Sequence, residues 1–81
     1  MVSNNAHLYA TIQALSNELR KAGEEEWSCQ LTDAMSISTV TGEILGEIRL
    51  RLQKLEATQV PDVVGVKSQL MEALSYLNRI L

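Results

Sequence analysis

Phenylalanine is absent from this chain, and only three aromatic residues, Tyr9, Trp27 and Tyr76, stand in its 81 positions. Its core must therefore be aliphatic, built on leucine, isoleucine and valine. At this length such a core rarely supplies more than roughly 3–5 kcal/mol net, which makes self-association one expected way of burying more surface. The single cysteine, Cys29, excludes an intramolecular disulfide and fits a reducing cytoplasm. No run approaches the about 18 apolar residues that a membrane-spanning helix requires. The N-terminal MVSNNAHLYA has neither the basic region nor the apolar stretch of a secretory signal. The expectation is one helical domain over 1–81, cytoplasmic, with no membrane partner.

Basic residues are also few, seven against ten acids, and their distribution says more than the net charge of −3. Residues 1–23 carry Glu18, Arg20 and Lys21, while residues 24–40 carry Glu24, Glu25, Glu26 and Asp33 with no base. The two remaining quarters of the chain are balanced, so the whole negative excess lies in the second segment. Duplex nucleic acid repels such a surface, and the sparse lysines and arginines form no stripe to overcome it.

What the chain does have is helical periodicity. Leu8, Ile12, Leu15, Leu19 and Ala22 recur at 4-3-4-3 spacing and predict a helix over about 5–22. Ser3, Asn4 and Asn5 are all suitable caps for its start, and Lys21 and Gly23 suit its end. A second helix over about 24–38 puts Trp27, Leu31, Ala34, Met35 and Ser38 on one face and Cys29 on the other. A third, over about 42–57, starts at a Thr41 cap and buries Ile44, Leu45, Ile48, Leu52 and Leu55. Glu47 and Arg51 form a favourable pair one turn apart on it. The fourth, over about 61–81, opens on Pro61 and lines up Val63, Val66, Leu70, Leu74, Leu77 and Leu81. Its VVGV stretch leaves the first turn either helical or irregular. Short links between four amphipathic helices predict an all-α, compact, up-down-up-down four-helix bundle. Gly23 is a tight link, compatible with a full hairpin or a sharper corner.

The stretch KAGEEEW looks most like a site, with three glutamates between a glycine and the only tryptophan. Metal ligands on one helix need a spacing of three or four, and consecutive residues fan out by 100°. The first turn of a helix accounts for all three, because its free N–H groups and positive dipole end favour carboxylates. Glu26 is also placed to complete half a capping box with the Gly23 N–H. Trp27 then reads as a buried anchor, with a partner hot spot as its alternative. Cys29 and His7 lie on different predicted helices, so a thiolate–imidazole pair needs an accident of packing. No HExxH, DxDxDG, GxSxG, CxxC or phosphate-loop pattern is present. No catalytic, metal or cofactor-binding residue is expected.

Surface remains. Leu50 stands opposite Ile48 on the third helix and shares its face with Gly46 and Ala57, a shallow candidate contact for a second copy or another protein. Tyr9, Met71 and Ile80, each just off its own stripe, are candidates to extend it. Over residues 22–55 the pattern AGEEEW followed by TGEILGEIRLRLQKL resembles small bacterial proteins of unassigned function. The resemblance implies a small bacterial helical protein and carries over no activity, cofactor or site. The function expected is a non-enzymatic protein-binding module, either self-associating or a small regulatory or toxin-neutralising partner. Glu25, Glu26 and Asp33 are its candidate contacts for a basic protein. The alternative is a small-ligand or metal carrier with a pocket inside the bundle.

Overall fold

The structure, a computed structural model, describes residues 2–81. Five helices run through them: α1 (Asn5–Lys21), α2 (Glu25–Met35), α3 (Thr41–Glu56), α4 (Val60–Val64) and α5 (Lys67–Ile80). No strand is present among the described residues.

Asn4 starts α1, its side-chain oxygen accepting the His7 N–H at 2.8 Å. Leu8, Ile12, Leu15 and Leu19 are fully buried, as their spacing predicts. Ala22, the expected last member of that stripe, is instead the exposed C-cap. Gly23 follows in the left-handed region at φ 85°. The Glu24 N–H returns to the Leu19 carbonyl at 2.8 Å, and the Gly23 N–H to that of Arg20 at 3.1 Å. This pair of bonds satisfies the last carbonyls of α1. It also consumes the Gly23 N–H, so the capping box expected from Glu26 does not form.

α2 stops at Met35, three residues short of the expected end at Ser38. Hydroxyls explain the early stop. Thr32 donates to the Ser28 and Cys29 carbonyls, and Ser36 to those of Thr32 and Asp33. Such bonds compete with the helix for the same acceptors. No basic side chain stabilises the last turn. The cap of α3 falls on Val40 rather than on Thr41. Ser38 organises the approach, accepting the Val40 N–H and donating to Glu43, both at 3.0 Å.

The predicted fourth helix is two helices. Gly65 adopts φ 88°, and the Val66 N–H closes back on the Pro61 carbonyl at 3.0 Å, ending α4 after five residues. Two β-branched valines before a glycine have little helix propensity to resist that break. The turn shifts the phase of everything on its N-terminal side. Val66, Leu70, Leu74 and Leu77 remain buried, but Val63 is 81% exposed, against expectation; Leu81, also expected in the stripe, is 50% exposed because it lies past the end of α5 as its C-cap.

The core is one hydrophobic cluster, aliphatic except for Tyr76. α1 packs on α2, α2 on α3, α3 on α5 and α5 back on α1, while α4 leans on α3 and α5. The Cα radius of gyration of 11.4 Å is close to the about 12 Å expected of a compact chain this long. Polar bonds tie the ring together. Ser16 of α1 meets Ser28 of α2, Arg51 of α3 donates to the Gln30 carbonyl of α2, and Tyr76 of α5 donates to Asn5 of α1.

Candidate functional site

The acids of the second segment are on the surface. Glu25 and Glu26 form the first turn of α2, and Asp33 follows Glu26 by seven residues, two turns along the same face; all three are exposed. None of them has an ion-pair partner among the described residues. Cys29, also exposed, lies between them on that face. His7 is exposed on α1 and shares no hydrogen bond with Cys29. Trp27, expected as a buried anchor, is only half-buried and packs on the edge of the core. Ser28 takes the inner position next to it.

On α3, Leu50 is 44% exposed. Gly46, one turn before it, is half-buried, and a side chain added there would meet no neighbouring atom. Ala57, two turns on, is the exposed C-cap. The three share a face, and none of them lines the groove along α5 or the groove beside α4. Of the residues expected to extend that patch, Tyr9 packs against the core, while Met71 and Ile80 are exposed on α5. The Glu47–Arg51 pair forms at 3.1 Å, and Arg51 goes further than expected by donating to the Gln30 carbonyl at 2.7 Å.

Grooves open on the surface in at least two places among the described residues. One, about 290 Å³, runs along α5 between Met71, Ser75, Tyr76 and Arg79 beside Val2. Val2 is held there by Arg79, which donates to its carbonyl at 3.3 Å. The other, about 390 Å³, lies between the α1–α2 corner and α4. Ala22 and Glu24 line it on one side, and Gln59, Val60, Val63 and Val64 on the other. Comparison with known proteins adds nothing to this surface: no family model, curated protein or solved structure matches the chain. The site must be read from its own residues.

Among the described residues no three of His, Cys, Asp or Glu gather as a metal would need. Every buried side-chain nitrogen and oxygen described has a hydrogen-bond partner. No helix is long and apolar enough to cross a membrane. The α4 groove was missed in the sequence because Val63 fits the stripe of a continuous fourth helix. The glycine two residues after it was the available signal.

Proposed function

We propose that this chain is a non-enzymatic protein-binding module, a small regulatory or toxin-neutralising partner that recognises a basic protein. The observation that carries the reading is the unneutralised acidic face of α2, on which Glu25, Glu26 and Asp33 are exposed without ion-pair partners among the described residues. Fixed charge of one sign steers an oppositely charged partner and raises its association rate. The test compares capture from a lysate of the source cells by the tagged full chain and by Glu25→Gln/Glu26→Gln/Asp33→Asn. A basic protein held by the wild type at low salt and lost by the variant supports the reading. Equal retention of the same proteins by both contradicts it.

Three further readings belong to the same proposal. The helices α1, α2, α3 and α5 form an up-down-up-down bundle, with α4 as part of the last crossing. Cross-links between residues nearly equidistant from each turn support it: Ser16 with Ser28 about Gly23, and Gln30 with Arg51 about Val40. The compartment is the cytoplasm, with which the free, exposed thiol of Cys29 is compatible. The source is bacterial, on the pattern of residues 22–55.

Self-association through α3 is the second reading, favoured by the exposure of Leu50 beside the unobstructed Gly46. Sedimentation equilibrium tests it. A wild-type dimer that Leu50→Asp converts to monomer supports the contact, and a wild-type monomer at high concentration contradicts it.

A further inference from the structure

We propose that the groove between the α1–α2 corner and α4 seats the apolar face of a basic amphipathic helix from another protein. Lysines or arginines of that helix would lie against Glu24, Glu25 and Glu26. The inference rests on the protein-binding reading above, and it names the surface and the chemistry of the partner.

The groove is apolar and preformed. Val60 and Val64 are half-buried against the core, which fixes its floor. Pro61 between them is buried with a locked φ, and Gly65 holds the end of α4. On the opposite side, the paired backbone bonds that close α1 hold Ala22 and Glu24. A surface rigid before binding loses little freedom on binding. Val63 is 81% exposed, more than any other large apolar residue described. Burying one such side chain is worth roughly tenfold to a hundredfold in affinity.

Charge chooses the occupant. Glu24 lines the groove, Glu25 and Glu26 follow it directly in the first turn of α2, and Asp62 stands next to Val63 in α4. None of the four is ion-paired among the described residues, whereas Lys21 at the same corner is engaged by Glu18 at 3.6 Å. Only Glu24 and Gln59 are polar among the lining residues, too few converging groups to orient a small molecule. A second copy docked groove to groove would face these carboxylates with their own equivalents, a costly juxtaposition. Docking of the Leu50 face of another copy would be head-to-tail and would not close as a dimer. A helix with an apolar stripe and a cationic flank satisfies both the valines and the glutamates.

The test uses the full chain and two labelled synthetic helical peptides of identical leucine stripe, one with lysines and one with glutamates on its polar face. Fluorescence anisotropy should show saturable binding of the lysine peptide and none of the glutamate peptide. Val63→Asn, at an exposed position and checked for folding by circular dichroism, should weaken the lysine peptide about tenfold. Glu24→Gln/Glu25→Gln/Glu26→Gln should weaken it about fivefold at about 20 mM salt and less than about twofold at about 0.5 M. Equal binding of both peptides, or of neither, overturns the proposal. So does a chain that self-associates without peptide and is dissociated by Val63→Asn, which makes a second copy the occupant. If the lysine peptide ignores Val63→Asn but is lost with Glu25→Gln/Glu26→Gln/Asp33→Asn, the groove is wrong and the protein-binding reading survives. If that variant also leaves partner capture unchanged, both fail.

Discussion

Ser16→Ala should destabilise this protein more than Ser28→Ala, although both remove one oxygen from the same place. Both serines are fully buried at the α1–α2 contact, with their hydroxyls 2.7 Å apart. Ser16 has a second acceptor, the Ser28 carbonyl at 3.1 Å. Deleting the Ser28 hydroxyl therefore leaves Ser16 satisfied, and the loss is one net hydrogen bond, about 0.5–1.5 kcal/mol. Deleting the Ser16 hydroxyl strips Ser28 of its cross-helix partner inside an apolar contact. An unsatisfied buried hydroxyl costs about 1–3 kcal/mol. Removing both leaves two methyl groups face to face and should cost less than Ser16→Ala alone. The assay is urea unfolding of the four members of the cycle, read as shifts in midpoint at constant slope. Total stability at this length is roughly 3–5 kcal/mol, and each kcal/mol lost lowers Tm by roughly 4–8 °C, so the differences are measurable. Strict additivity of the two single changes, or equal costs for them, would refute the reasoning.

Glycine replacements should divide by backbone geometry. Gly46 is helical with open space at its missing Cβ, so Gly46→Ala should raise stability by about 0.5–1 kcal/mol. Gly23 and Gly65 also have open space but stand at φ 85° and 88°, so alanine at either should cost about 1–2 kcal/mol from backbone strain alone. Thermal melts of the three variants check both signs. Leu52→Ala, at a fully buried position of α3, should cost about 2–5 kcal/mol and lower Tm by at least about 8 °C.

Much of the fold was legible in the sequence, because α1 and α3 carry leucine and isoleucine at regular spacing and Gly23 marks a stop. Leu45, Ile48, Leu52 and Leu55 are buried as that spacing requires. The fourth segment misled because Val63 and Val66 continue the phase of Leu70 across Gly65, and apolar spacing alone cannot register a left-handed residue. The inner position of Ser28 was not legible from apolar spacing. A serine reads as an outward residue until its partner is known, and that partner lies twelve residues away on another helix. The acids of α2 were placed on the surface from sequence, since residues opposite Leu31 and Ala34 must face water. The α4 groove was not, because its exposed valine exists only once the fourth helix is broken.

One measurement bears most directly on the claim that a basic partner docks at the acidic α1–α2 corner. It is the map of backbone amide shifts in the ¹⁵N-labelled chain on addition of the lysine-faced peptide at low salt. Saturable changes should concentrate at Ala22, Gly23, Glu24, Glu25 and Glu26 and across residues 60–64. Changes centred on Gly46, Leu50 and Ala57, with the corner silent, would contradict it.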